Sequence, residues 1–485
     1  MSETQTTGMK KSLSLWNYFT MGFGAIVGTG WVLLVGDWMI MGGGPISAML
    51  AFAAGALFLL PIGAVFGELT AAIPISGGIV EYAERTFGKT AGHMTGWFLA
   101  LGNAILCPWE AIAISALLSS MWADLPGLEW ITSIKLYEIA GSPIYLIPTL
   151  VAEAVCLLVI YLNFRGASAA AKLGSFLAKA LLAGMLLAMV TSLFIGSPSN
   201  LLPTFARVSA QNSGSVAGVT TTAGTFLTAF LAVLVITPFF YTGFDTIPQS
   251  AEEAGPNLNW KKFGRIIGLV LLASGLFYVI CIYAFGTIFP WQESVADPVP
   301  ALSSILKISI YLYIPMLVIG TIGPIGPMNA FYGATARILL AMGRKGHLPR
   351  SFAKIHPKTG TPVVPNIILA VATVVGPFLG GNLLIPLTKV DALAFVVACT
   401  VAAAACLKMR FTEPDLPRPY KVPGGKIGIG IAVLAGLILV GLQVIPGSPA
   451  VLDPVSWCIV IVWLIAGVAL RWVASRNSSK PTLAA

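Results

Sequence analysis

Two apolar stretches hold the residue combinations that most clearly imply chemistry. The first is Gly22-Phe23-Gly24-Ala25-Ile26-Val27-Gly28-Thr29-Gly30, four glycines in nine positions. The second is Thr237-Pro238-Phe239-Phe240-Tyr241-Thr242-Gly243-Phe244-Asp245-Thr246-Ile247-Pro248, with two prolines and a glycine. Neither holds a regular helix, since each glycine costs about 1 kcal/mol relative to alanine and proline removes a backbone donor. An interrupted helix frees N–H groups at the start of its second half and carbonyls at the end of its first. In hydrocarbon such a gap is tolerated only where it lines a cavity. The N–H groups of Thr29, Gly30 and Trp31 suit a carboxylate. The carbonyls of residues 23–26, with those of Phe239, Phe240 and Tyr241, suit an ammonium. An α-amino acid carries both charges about 3 Å apart, so Ala25, Ile26, Gly28, Thr29, Gly30 and Tyr241 are candidate substrate-binding residues.

Ionisable groups inside apolar segments are costly and therefore mark candidate functional sites. Lys179 is seven residues into such a segment, about 10 Å deep at 1.5 Å per residue; its plainer role is to snorkel to the interface. Glu110 follows Asn103 by two turns on one helix face, and Asp37 lies about two turns beyond Gly30. Both carboxylates would stand in the outer half of a cavity and attract a cation, or else pair with each other or with backbone. Asp245 sits at the second break as a helix cap or a gating group. Glu153 reads as a scaffold carboxylate, Glu68 as a brace at the end of the second segment, and Trp31 and Trp109 as packing residues. His93, His347 and His356 fall in basic loops and do not read as ligands. The six cysteines, Cys107, Cys156, Cys281, Cys399, Cys406 and Cys458, lie in apolar segments without metal-ligand spacing. No metal or cofactor is expected.

The elements that must position these residues are membrane-spanning helices. The chain has 485 residues, 57% of them hydrophobic and only 10% charged, against roughly 25% charged in soluble domains. A span needs about 20 apolar residues, and about twelve segments qualify: 15–41, 46–73, 95–121, 144–162, 173–195, 222–246, 266–289, 314–342, 363–379, 385–407, 427–445 and 455–473. Lys389 and Asp391 interrupt the ninth and tenth. The net charge of +9 sits in alternate loops and forms no basic stripe, which argues against nucleic acid. Lys135, Arg207, Lys307 and Lys389 alone lie on the opposite side, and Lys179 lies within a span. The basic side is expected to be cytoplasmic, with both termini inside. Residues 1–14 show no cleaved signal.

Segments one and six correspond if six to ten repeat one to five, and an odd number of spans inverts the second copy. Paired interrupted helices in inverted halves point to a binding site at the membrane midplane. The expected organisation is an all-α polytopic membrane protein: a tail (1–14), a first repeat (15–195), a second repeat (222–407), two further helices (427–473) and a tail (474–485).

Several motifs, in order along the chain, resemble the amino acid–polyamine–organocation (APC) family of permeases. Residues 24–30 are similar to its helix-one glycine motif. Gly67-Glu68-Leu69 with Pro74-Ile75-Ser76-Gly77-Gly78 resembles the end of its helix two. Residues 239–245 followed by Ala251-Glu252-Glu253 resemble its helix-six break, and residues 337–349 and 413–423 two of its basic loops. The resemblance implies a five-plus-five inverted repeat with alternating access, carrying amino acids or amines. It also implies that Ile26, Thr29, Gly30, Phe239 and Thr242 line the site, with Phe239 or Phe240 as an aromatic lid. Proton-coupled members place a lysine in helix five where sodium-coupled relatives hold sodium; Lys179 falls two residues before the matching position. Helix eight, at Gly323-Pro324-Ile325-Gly326-Pro327-Met328-Asn329, lacks the hydroxyls a sodium site would use.

An enzyme would need a convergent nucleophile and base or a metal cluster, and none is visible. An ion channel would need a continuous polar stripe or charged ring. The expectation is a secondary transporter in the cell (inner) membrane, sodium-independent or proton-coupled. It would favour a neutral amino acid, with cationic amino acids, amines or polyamines second. The family that the chain resembles has heteromeric members joined to a heavy chain through a cysteine between helices three and four; residues 123–143 contain none, so no disulfide-linked heavy chain is expected.

Overall fold

The computed structural model describes residues 14–75, 77–165, 167–221, 224–249, 251 and 254–478. Residues 1–13 and 479–485 of the expected tails, and Ser76, Glu252 and Glu253 of the quoted motifs, lie outside the described residues.

The first segment begins where Ser14 caps it. The Ser14 hydroxyl accepts from Asn17 N (3.2 Å), while Asn17 Oδ1 accepts from Ser14 N (2.9 Å). The chain then forms α1 (Leu15–Ile26), α2 (Gly30–Leu33) and α3 (Val35–Gly42). The segment is interrupted at residues 27–29 and bends by 72° between Leu33 and Val35. The break is thus narrower than the glycine run: Gly22 and Gly24 stay helical. A Cβ on Gly22 would stand 2.5 Å from Ile247 Cδ1, so this glycine serves close helix packing.

α4 (Pro45–Ala72), the amphipathic α5 (Gly78–Phe87), α6 (Lys89–Leu117), α7 (Leu146–Arg165) and α8 (Ala167–Ile195) follow. The sixth segment is broken into α9 (Phe226–Leu234), α10 (Thr237–Tyr241) and α11 (Thr246–Gln249). Then come α12 (Trp260–Ile288), the short α13 (Trp291–Ser294) and α14 (Pro300–Ile308), α15 (Ile310–Ile322) running into α16 (Ile325–Arg344), α17 (Val363–Val375), α18 (Leu384–Thr412), α19 (Gly425–Val444) and α20 (Pro454–Ser478).

Every expected segment contains helix. Among the described residues eight helices are long and apolar enough to cross a membrane, or nine if the bent first pair is one span. The α8 stretch from Lys179 and α17 are shorter, and the sixth segment is in three pieces. The fold is also not purely α. Between α6 and α7 an antiparallel hairpin pairs β1 (Lys135–Ile139) with β2 (Ser142–Tyr145). Its two turn residues, Ala140 (φ 50°) and Gly141 (φ 81°), both have positive φ, the geometry that joins twisted strands through two residues. Tyr137 OH donates to Phe378 O (2.8 Å), docking the hairpin on the chain after α17.

α6 and α18 are central: 78% and 72% of their apolar windows are buried, against 17% for α20. Peripheral α20 turns Ile461, Val462, Ile465 and Val468 outward, as a lipid-facing helix does. The assembly is a multi-pass helical membrane protein in which α10 of the sixth segment packs on α18 while α1 of the first packs on α12 and α16.

Candidate functional site

The two interruptions meet. α1 ends at Ile26 and α10 at Tyr241, after which Thr242 takes an extended ψ of 130°. Gly243 follows with φ +133°, and a Cβ there would stand 2.8 Å from Ile26 N and 2.9 Å from Ala25 C. Only a residue without a side chain allows the two backbones this close. Tyr278 OH of α12 donates to Ile26 O (3.1 Å), satisfying one of the carbonyls freed by the first break. At the second break Asp245 Oδ1 accepts from Gly243 N (3.0 Å), and Thr246 Oγ1 donates to Gly243 O (2.6 Å). Asp245 is therefore tied to its own loop, as a capping carboxylate is.

Beside this contact is a small cavity, about 20 Å³. The first break lines it with Ala25, Ile26, Gly28 and Gly30, and the sixth segment with Phe239, Phe240 and Thr242. α6 adds Leu106, Trp109 and Glu110; α12 adds Tyr278; α16 adds Pro327 and Phe331. Glu110, 3% exposed, is the one charged residue in this lining. Its Oε2 accepts from Thr29 Oγ1 (3.1 Å), and its Oε1 lies 2.9 Å from where a Gly28 Cβ would be. A carboxylate with one hydroxyl donor at the wall of an apolar cavity has acceptor capacity left for a cationic group.

Aromatic rings shape the rest. Trp109 Nε1 donates to Leu384 O (3.1 Å) and Thr388 Oγ1 (3.0 Å), which fixes its ring 5.0 Å from that of Phe239. Phe240 lies over Gly30, its Cε1 2.9 Å from a Gly30 Cβ position. It packs on Trp38 (4.6 Å) and Phe52 (5.5 Å), closing the cavity on the α3 side.

Of the residues singled out in the sequence, Ala25, Ile26, Gly28, Gly30, Glu110, Phe239, Phe240 and Thr242 line this space. Thr29 is buried behind them with its hydroxyl on Glu110. Tyr241 points elsewhere, its OH donating to Phe52 O (2.7 Å). Asn103 does not line the cavity; its Nδ2 donates to Asp245 Oδ2 (3.4 Å). Asp37 accepts from the Ser215 hydroxyl, away from the lining. Lys179 is exposed on α8 and is not among the lining residues. The α8 residue beside the first break is Leu181, two positions on, whose Cδ2 shares a contact with Thr29 Cγ2 at Gly323. Two residues turn a helix by about 200°, so Lys179 lies on a different face from the inward Leu181.

Trp109, read as packing, is a wall of the cavity; Leu106, Tyr278, Pro327, Phe331 and, behind the wall, Asp391 were not anticipated. Only Asp391 had a signal, as a charge interrupting an apolar segment. It sits on α18 and accepts from Thr242 Oγ1 (3.2 Å). Among the described residues no group of three or more histidines, cysteines or carboxylates could hold a metal ion. The six cysteines are free thiols.

Residues 13–466 match the amino acid permease family model. Over 481 residues the chain is 24% identical to a methylthioribose transporter of Bacillus subtilis, covering 99% of this chain and 96% of the relative. It is likewise 24% identical to the branched-chain amino acid permease BcaP of the same organism, covering 97% and 94%. An aspartate-proton symporter, also from Bacillus subtilis, is 25% identical over 86% of this chain and 76% of its own length. These relatives are transporters and permeases, not enzymes. With a cavity where two interrupted helices touch and a family match along nearly its whole length, the chain belongs to the amino acid permease family, within the APC superfamily.

Proposed function

We propose that this protein is a secondary active transporter that moves a neutral amino acid across the cell membrane by alternating access, with protons rather than sodium as the coupling ion. The observation that carries this reading is the cavity at the contact of the two breaks, where backbone polar groups and Glu110 converge inside aromatic walls. The freed N–H groups of Thr29, Gly30 and Trp31 receive the substrate carboxylate; Glu110 and the nearby carbonyls receive its ammonium. Phe240 and Trp38 form the closing side. The inverted repeat is supported by mirrored packing: α1 lies on α12, the second helix of the later repeat, and α9 lies on α4, the second helix of the earlier one. The loop charges support a basic cytoplasmic side and two internal termini. The names of the branched-chain permease and the aspartate-proton symporter support amino acid transport and proton coupling, respectively. Coupling is assigned to the Asp245 region and not to Lys179, because Lys179 is exposed on α8 and outside the cavity lining.

A second reading is carried by Glu110 alone: a cationic amino acid or amine. An amine without a carboxylate would leave the freed N–H groups unmet, at about 1–3 kcal/mol each, so the neutral amino acid stands first. In proteoliposomes, excess alanine is expected to suppress uptake of labelled alanine almost completely, and excess glutamate little, since like charges in a desolvated site repel by several kcal/mol. Lysine or putrescine competing better than alanine would favour the second reading, and inhibition by glutamate alone would remove Glu110 from the pathway. Flux that saturates with substrate separates a transporter from a channel. The chain is expected to run at the same position on reducing and non-reducing gels, because it works without a covalently attached heavy chain; a disulfide-linked heterodimer would contradict this.

A further inference from the structure

Behind Thr242, outside the lining of the cavity, two carboxyl groups are buried without a basic partner among the described residues. Asp391 on α18 is 0% exposed and Asp245 is 1% exposed. They are held by neighbouring residues on two elements. Thr242 donates to Asp391, and Gly243 N to Asp245. On α6, Asn103 donates to Asp245 while Asp391 Oδ1 lies 2.7 Å from a Gly102 Cβ position. Gln249 Nε2 also donates to Asp245 Oδ2 (2.7 Å).

The cluster has too many acceptors. Asp391 Oδ1, Asn103 Oδ1 and Gln249 Oε1 are all buried, and none has a hydrogen-bond partner among the described residues. Two buried carboxylates sharing one hydrogen-bonded cluster cannot both stay ionised without water or a cation. A bound proton removes one charge and turns a carboxylate oxygen into a donor that an orphaned acceptor can receive. It also needs no space, and the cavity reaches Thr242 but does not include Asp391 or Asp245.

The other titratable groups around the pair are committed elsewhere. On α6, Glu110 accepts from Thr29, and the Cys107 thiol faces Met328 O (3.7 Å). On α4, Glu68 is held by Arg410 and Arg418. On α5, Tyr82 donates to Ile73 O, and Glu81 and Glu84 pair with Lys345. Tyr241 of α10 donates to Phe52 O, and Tyr18 of α1 packs on Phe263. On α18 itself Lys389 pairs with Asp453, and Cys399 is a buried thiol two turns on. Lys426 of α19 lies over Phe411, and Arg471 of α20 donates to Thr90.

Resting on the transport reading above, we infer that Asp391 with Asp245 is the binding site of the coupling proton, linked to the substrate cavity through the Thr242 hydroxyl. Thr242 is a wall of the cavity on one side and the donor to Asp391 on the other, so the charge state of the pair acts on the cavity through one side chain. Substrate binds well when the pair holds its proton, and binding substrate in turn tightens the proton.

The test is the pH profile of L-alanine binding to the purified full-length protein. In the wild type the Kd is expected to rise about tenfold per pH unit above the titration of the pair. Asp391→Asn, which keeps size and hydrogen bonding but carries no proton, is expected to give a flat profile. Asp391→Glu is expected to restore the slope. Titration calorimetry of the wild type in buffers of different ionisation enthalpy gives a reading independent of any variant: up to about one proton taken up per alanine bound. A wild-type slope in Asp391→Asn, no proton uptake between about pH 5 and 8, or an absolute need for sodium would each overturn the assignment. Alanine counterflow in proteoliposomes separates the two readings: counterflow with a flat wild-type pH profile overturns the proton site alone, while no counterflow with any amino acid overturns the transport reading with it.

Discussion

Gly30→Val is expected to abolish uptake while leaving a folded protein in the membrane. The argument is steric. Gly30 has no side chain and lines the cavity; its Cβ position is already 2.9 Å from Phe240 and 3.7 Å from Trp109. Valine adds two further methyl groups there. Phe240 is held by Trp38, Phe52 and Phe239, and Trp109 by its two hydrogen bonds to α18, so neither ring yields freely. The methyl groups take the volume proposed for the substrate carboxylate. Overpacking of this size costs about 1–3 kcal/mol in stability, which a chain of this size tolerates, whereas each 1.4 kcal/mol lost in substrate binding costs about tenfold in affinity. Uptake in proteoliposomes is expected to fall by about a hundredfold or more, with size-exclusion behaviour and melting temperature close to wild type. The control is Gly430→Ala on α19, whose Cβ would meet nothing within 4 Å; its uptake is expected to stay at the wild-type level. Uptake by Gly30→Val within twofold of wild type would remove the first break from the substrate site.

What could be read from the residues was what is local. Glycines and prolines inside apolar runs located both breaks, because backbone that cannot stay helical is a property of a few consecutive residues. That the two breaks touch is legible only as a pairing of positions; the contact itself depends on Gly243 meeting Ala25 and Ile26 across the fold. The walls from α12 and α16 left no trace, since Tyr278, Pro327 and Phe331 are ordinary residues of apolar helices until tertiary packing turns them inward. Trp109 was misjudged for the same reason: only its two bonds to α18 separate a cavity wall from a packing residue. Lys179 shows how strictly helical phase matters, since moving two residues exchanges a buried Leu181 for an exposed lysine. The hairpin of residues 135–145 was missed because an apolar chain invites helices everywhere and its signal was a short loop with positive φ. Hydropathy located every helical segment, but the lengths of the individual helices depend on where packing and the breaks interrupt them.

Glu68→Gln is expected to cost more stability than any other single change at the basic end of the molecule. Glu68 on α4 is 1% exposed. Its carboxylate accepts two bonds from Arg410, both 2.7 Å, lies 3.2 Å from Arg418 Nε and accepts from Val422 N (2.7 Å). One carboxylate thus ties α4 to α18 and to the loop between α18 and α19. Tyr420 completes the joint, its ring packed where a side chain on Gly67 or Gly264 would stand. Glutamine keeps the shape and some hydrogen bonds but leaves two guanidinium groups without a counter-charge. Arg418, 6% exposed, cannot turn to water. Breaking a buried pair by removing one partner costs about 3–5 kcal/mol. Arg410→Gln should cost less, because Arg410 is more exposed and Glu68 retains Arg418. The order of melting temperatures in detergent, wild type above Arg410→Gln above Glu68→Gln, checks this, and 1 M salt should change it little because the ions are shielded from solvent. Glu68 does not line the cavity. The folded fraction of Glu68→Gln should therefore transport with the wild-type KM, so that loss of uptake follows loss of folded protein; an altered KM would mean that the joint moves with the transport cycle instead of only holding the helices together.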